Sequence, residues 1–155
     1  KPEMDRIGME AQALKDRLAY LVDEDTHAFN KLMDANRLPA TNDEEQTAKN
    51  EAIEIANKYA IDIPMETAEK CFRVIELAEI LVEKGNPNSV SDSGVAAEVA
   101  LAGVRGACMN VMINIPGVED ESYCNEKKNA VNDLIEKAVL LQKVVFEKTM
   151  NVINK

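Results

Sequence analysis

The sequence predicts an all-α fold, an antiparallel bundle of about five long helices, and three observations carry that expectation. Apolar residues recur at helical spacing, and no segment alternates polar with apolar as a strand would. Aromatic side chains make up only 4% of the 155 residues, with no Trp, so the core must be built from small and aliphatic side chains that let helices approach closely. The helical stretches are joined by short breaks rich in Pro, Gly and Asn, which favours antiparallel neighbours. The chain has the length of one domain, 1-155, enough to enclose a core without disulfides or metal.

The first helix reads from about Glu3 to Leu38 and stops at Pro39. A second starts after Thr41-Asn42-Asp43-Glu44, a Thr-x-x-Glu capping box, and runs to about Ala60. Pro64 suits the first turn of a third helix, which Gly85 ends as the glycine after the last turn. The loop Gly85-Asn86-Pro87-Asn88 leads into Ser89-Val90-Ser91-Asp92, a second capping-box-like start with Asp in place of Glu. That fourth helix continues to about Asn114 and breaks at Pro116-Gly117, and a fifth runs from around Asp120 to near the end.

A net charge of −10 argues against a nucleic-acid or anionic-membrane partner. Cys71, Cys108 and Cys124 are odd in number and share no metal-binding spacing, so they read as reduced thiols of a soluble, cytoplasmic protein. His27 is the single histidine and lies on a polar face. A cluster of histidine ligands is therefore out, and no metal is expected. No apolar run approaches the ~20 residues of a membrane span, and nothing resembles a signal peptide.

Two helices break their own pattern. In the first, Ile7, Ala11, Leu14, Leu18, Leu21, Phe29 and Leu32 form one apolar stripe, and Asp25 falls near its centre. A carboxylate turned into a core must be paired, hydrogen-bonded or protonated. Desolvation would raise its pKa toward the range a general acid or base needs. A structural carboxylate paired with an inward cation accounts for the same pattern. The fourth helix is thin: Gly94, Ala96, Ala97, Ala100, Ala102, Gly103, Gly106 and Ala107 imply close approach of another helix, a subunit or a ligand. Asp92, Gly103, Asn110 and Asn114 share roughly one of its faces. Two amides there could orient a polar heterocycle, or tie helices together. Glu98 and Arg105, on the opposite side, suit a salt bridge between helices or subunits.

Three ordered motifs resemble the formiminotransferase-cyclodeaminase family. They are Leu21-Val22-Asp23-Glu24-Asp25-Thr26-His27-Ala28-Phe29, Gly85-Asn86-Pro87-Asn88-Ser89-Val90-Ser91-Asp92, and Gly106-Ala107-Cys108-Met109-Asn110-Val111-Met112-Ile113-Asn114. The likeness spans essentially the whole chain. By that comparison the sequence lacks the usual N-terminal glycine-rich segment. The resemblance implies an all-α homodimer whose substrate is a tetrahydrofolate derivative, with a fused or associated formiminotransferase domain as a further partner. The leading expectation is a cyclodeaminase that converts 5-formiminotetrahydrofolate to 5,10-methenyltetrahydrofolate and ammonia. A cyclohydrolase, which opens the methenyl form to 10-formyltetrahydrofolate, is the alternative, and a non-catalytic helical dimerisation module is the reading from another class. Asp25 is the first candidate for the proton-transferring group and Asp92 the second. Asn110 and Asn114 would orient the substrate, with Asn86 contributing from the loop. An acidic chain binding an anionic glutamate tail needs a local basic cluster, for which Arg37, Arg73 and Lys84 are candidates.

Overall fold

The computed structural model describes residues 2–155, and those residues form four helices and no strand. They are α1 (Pro2–Asn36), α2 (Asp43–Lys84), α3 (Val90–Asn114) and α4 (Glu121–Ile153), with short 3₁₀ turns at Pro87–Ser89 and Ile115–Gly117. The expected bundle is present with one helix fewer than expected. The second and third helices are a single α2 that passes through Pro64. Ile61, Ile63, Pro64 and Met65 are all buried, so tertiary packing carries the helix through a residue that would normally break it.

The caps differ in detail from the sequence patterns. At the start of α2 the capping side chain is Asn42, which accepts from the Glu45 backbone N–H, while Glu45 reaches back to the Thr41 N–H and hydroxyl. The cap thus lies one residue later than the sequence pattern, and Glu45 bonds the residue before the cap and not the cap itself. Ser89 makes no side-chain cap bond to α3; Asn86 instead accepts from the Asn88 N–H and shapes the preceding turn. Gly85 does end α2, yet with φ −78° it is extended rather than left-handed. A side chain there is blocked because its Cβ would lie 2.4 Å from the Leu81 carbonyl oxygen.

α2, α3 and α4 enclose the main core, whose fully buried members include Ile61, Ile75, Val104, Val111, Val131 and Val145. The glycines of α3 let this triangle close. A Cβ at Gly94 would sit 2.8 Å from the Thr149 methyl, and one at Gly103 would sit 2.7 Å from Cys71 Sγ. Gly106 has nothing within 4 Å and faces outward. The three cysteines are free and buried; burial pushes the Cys108 thiol up to about 11. α3 with its flanking turns, Pro87–Gly117, is long and apolar enough by composition to cross a membrane, contrary to the reading of the sequence. Here it is the helix that α2 and α4 cover.

α1 lies outside this triangle and packs along α2, as three columns of seven-residue spacing explain. Ile7, Leu14, Leu21, Ala28 and Ala35 are its buried residues and face α2. On one flank Glu3 pairs with Lys84 at 2.7 Å, Glu10 with Arg73 at 2.6 Å and Arg17 with Glu66 at 2.7 Å. The same flank continues with Glu24, which accepts from the Tyr59 hydroxyl, and Lys31, whose ammonium lies 4.2 Å from the Tyr59 ring centroid. The other flank holds Met4, Ala11, Leu18, Asp25 and Leu32 and borders a cleft.

Candidate functional site

α1 and α3 both run antiparallel to α2, and between them a cleft opens with α2 as its floor. Its middle section has a volume of about 340 Å³ and is lined by Leu18, Asp25, Gly103, Ala107 and Asn110, among others. A neighbouring section of about 210 Å³ is lined by Asp25, Phe29, Ala60, Asn110, Ile113 and Asn114. Asp25 and Asn110 belong to both sections, so they face each other where the two meet. The small side chains at Gly103 and Ala107 provide the depth.

Asp25 therefore sits beside the expected amides, but it is exposed and not sunk in the core. Phe29, placed by the sequence in the buried stripe, is 61% exposed. The stripe drifted because a seven-residue repeat, not a 3.6-residue wheel, governs the α1–α2 seam. In the column Met4, Ala11, Leu18, Asp25, Leu32, the carboxylate occupies a place where packing alone would select an aliphatic residue. Its acidic neighbours are placed elsewhere. Glu24 belongs to the seam with α2, where hydrogen bonds from Tyr59, Tyr20 and His27 hold its carboxyl at about 2, far below the usual 4.5. The Tyr59 hydroxyl is correspondingly pushed up to about 12 by that bond to Glu24. His27 is exposed and contacts Glu24 at 3.3 Å.

Asn114 is half-buried and donates its Nδ2 to the Ala60 carbonyl at 3.0 Å, so it does tie α3 to α2. Asn110 is exposed on the cleft wall. Asn57 completes the anchoring of this end of α3 by donating to the Gly117 carbonyl at 2.5 Å. The other two expected residues stand apart. Asp92 is exposed in the first turn of α3, about 27 Å along the helix from Asn110 at 1.5 Å per residue. Asn86 lies beyond it, in the turn that precedes α3. Within one chain the shared helical face does not bring Asp92 to the amides, because a face extends the length of the helix.

The expected basic cluster is not formed either. Arg37 pairs with Asp34, Arg73 with Glu10 and Glu76, and Lys84 with Glu3. Arg37 and Lys84 lie at opposite ends of the α1–α2 pair. Lys15, in a third apolar section of the cleft lined also by Leu18, Leu77 and Ala96, is the cation among the cleft-lining residues, and it too has an acidic neighbour, Asp16 at 3.3 Å. Glu98 accepts from Gln142 of α4 at 2.5 Å, an interhelix hydrogen bond in place of the expected salt bridge. Among the described residues no group of three or more His, Cys, Asp or Glu converges as a metal site would require.

Sequence reasoning missed Pro64, Thr26 and Thr67, which line the middle section beside Asp25. A proline flanked by buried residues within a continuous apolar pattern was the available signal for the first. The two threonines carried none.

In sequence and in fold the chain is similar to known proteins. A methenyltetrahydrofolate cyclohydrolase of Methylorubrum extorquens is 34% identical over 152 residues, which is 98% of this chain and 73% of that protein. The formimidoyltransferase-cyclodeaminase of Gallus gallus is 34% identical over 123 residues, 79% of this chain and 23% of the longer protein. In fold, the chain matches the crystal structure of a formiminotetrahydrofolate cyclodeaminase from Thermotoga maritima with a TM-score of 0.84 at 24% identity, over 98% of this chain and 72% of that one. The pattern described as formiminotransferase-cyclodeaminase covers residues 1–133, and with that coverage the chain belongs to the formiminotransferase-cyclodeaminase family.

Proposed function

We infer that this chain acts on a tetrahydrofolate one-carbon form held in the cleft between α1 and α3, with Asp25 moving the protons. The observation that carries this reading is the meeting of Asp25 with Asn110 and Asn114 in a chain of this family. The reaction we assign is hydrolysis of 5,10-methenyltetrahydrofolate to 10-formyltetrahydrofolate, supported by the cyclohydrolase that aligns with 98% of the chain. Water adds to the carbon between N5 and N10, and the Asp25 carboxylate takes its proton. The tetrahedral carbon then releases N5, which receives that proton, and loses its hydroxyl proton to leave a formyl group on N10. One proton is released overall. A carboxylate beside the cleft also stabilises the cationic methenyl group electrostatically.

Cyclodeamination is the second reading, favoured by the name of the vertebrate relatives. It passes through a similar tetrahedral carbon, with Asp25 carrying a proton from N10 to the departing ammonia. Lys15 lies about 15 Å along α1 from Asp25 at 1.5 Å per residue, a suitable place for the anionic tail of a folate whose ring lies at Asp25.

A homodimer through α3 belongs to the same proposal. Val95, Val99, Ala102, Gly106, Met109 and Ile113 form an outward stripe, with the four large residues 62–76% exposed. The stripe is a size palindrome, small at Ala102 and Gly106 and bulky at both ends, so two copies crossing antiparallel would interlock about its middle. That pairing would carry Asn86 and Asp92 of one copy toward the Asn114 end of the other. The three buried free thiols suit a reducing cytoplasm.

The test is turnover by the full-length protein, followed at the methenyl absorbance band. Loss of the band from 5,10-methenyltetrahydrofolate supports the cyclohydrolase. Appearance of the band with ammonia from 5-formiminotetrahydrofolate supports the cyclodeaminase. Neither turnover nor calorimetric folate binding would leave the non-catalytic dimerisation module and refute the proposal.

A further inference from the structure

In an unbroken helix the Ala60 carbonyl would accept from the N–H of residue 64, but residue 64 is proline and has none. The orphaned carbonyl is satisfied by Asn114 Nδ2 at 3.0 Å. A carbonyl can only accept, so the nitrogen of that amide must face Ala60, and its oxygen must face the other way. No side-chain oxygen is buried without a partner among the described residues. Asn114 Oδ1 is therefore open to solvent, on a residue that lines a cleft section with Asp25 and Asn110.

Two further groups point the same way chemically. Thr67 spends its hydroxyl proton on the Ile63 carbonyl at 3.0 Å, and Thr26 spends its own on the Val22 carbonyl at 3.4 Å. Both line the middle section, and both are left presenting lone pairs to it. With the Asp25 carboxylate and Asn114 Oδ1, four acceptors line the middle and neighbouring sections against one amide, Asn110, free to donate. Such a rim is complementary to a ligand rich in N–H groups or carrying positive charge.

We propose that Pro64 is a positioning residue. By withholding its N–H, it hands the Ala60 carbonyl to Asn114, fixes Asn114 Oδ1 as an acceptor beside Asp25, and tunes the cleft toward a cationic, N–H-bearing ligand. A folate one-carbon cation of the amidine type has that chemistry, and in naming it the proposal rests on the function inferred above.

The test restores the missing donor. In Pro64→Ala, α2 gains an N–H that bonds Ala60, and the Asn114 amide is released. Proton–nitrogen spectra of the wild-type chain should show a protected Asn114 side-chain NH₂. In Pro64→Ala that protection should disappear, and a new protected backbone amide should appear at residue 64. With 5,10-methenyltetrahydrofolate, kcat/KM should fall roughly tenfold, the effect of one lost ligand hydrogen bond, and should fall through KM more than kcat. In an Asn114→Ala background the same proline change should alter kcat/KM less than about twofold, because the residue it acts through is gone. An Asn114 amide indifferent to Pro64→Ala overturns the proposal, as does an equal kinetic loss in both backgrounds. If the wild-type protein turns over neither folate, the function reading fails, and the spectra alone decide whether Pro64 positions Asn114.

Discussion

Gly103→Ala adds one methyl group where α3 has no room for it. The new Cβ would stand 2.7 Å from Cys71 Sγ and 3.4 Å from Cys71 Cβ. Cys71 is itself only 9% exposed, so it cannot swing into solvent. Alanine gains about 1 kcal/mol over glycine in a helix interior, while overpacking a closed core costs about 1–3 kcal/mol. The net expectation is a loss of up to about 2 kcal/mol, lowering Tm by about 2–4 °C per kcal/mol for a chain of this size. Gly8→Ala is the comparator: the same methyl group on α1 meets nothing within 4 Å and should keep the full gain of about 1 kcal/mol. The structure also specifies the rescue. Cys71→Ala removes the obstructing sulfur, so the double variant should be more stable than the sum of the singles by about 1–2 kcal/mol. Urea unfolding followed by far-UV circular dichroism reads the wild type and all four variants, provided the m-values agree. Should Gly103→Ala gain as much as Gly8→Ala, or Cys71→Ala give no relief, the close α2–α3 approach described above is wrong.

Other perturbations test the site and the assembly. Asp25→Asn should lower kcat by about 10²–10⁴ with an unchanged helical spectrum; turnover within a few-fold of wild type would remove Asp25 from the mechanism. Glu24 is held at about 2 chiefly by Tyr59, against an ordinary 4.5. Its contribution to stability is therefore full above about pH 4.5 and fades as the pH falls toward 2. The Tm advantage of wild type over Tyr59→Phe should follow that course, and an advantage independent of pH would contradict it. Val99→Glu with Met109→Glu places charges in the palindromic stripe and should yield monomers by sedimentation without unfolding the chain; persistent dimers would direct the interface elsewhere.

The helices themselves were legible because capping residues, glycine and proline act locally. Pro64 misled for a tertiary reason: Asn114, fifty residues away in sequence, satisfies the carbonyl it orphans, and no local rule contains that partner. Asp25 was legible as an anomaly, since a carboxylate among aliphatic residues conflicts with packing whichever helical period is used. Its depth was not, because one helix gives no hint that its neighbour across the cleft stands off rather than closing over it. The face shared by Asp92 and Asn110 was correct as an angle and uninformative as a distance. Arg73 and Lys84 looked available for a ligand because the seven-residue ladder of partners on α1 is visible only once the two helices are aligned.

The unequal attachment of the cleft walls sets how the protein fluctuates. α3 is braced by α2 and α4, whereas α1 rests mainly on α2. Along that support the buried residues dwindle from Ile7, Leu14 and Leu21 to Ala28 and Ala35. Each alanine removes far less apolar surface from water than the leucines earlier in the column, so the hold on α1 weakens toward its C-terminal end. Amide protons there should exchange sooner than those near Leu14, and opening of that end would widen the section lined by Phe29, Ile113 and Asn114. The wall that carries Asp25 is thus the compliant one, and the wall that carries the amides is the fixed reference.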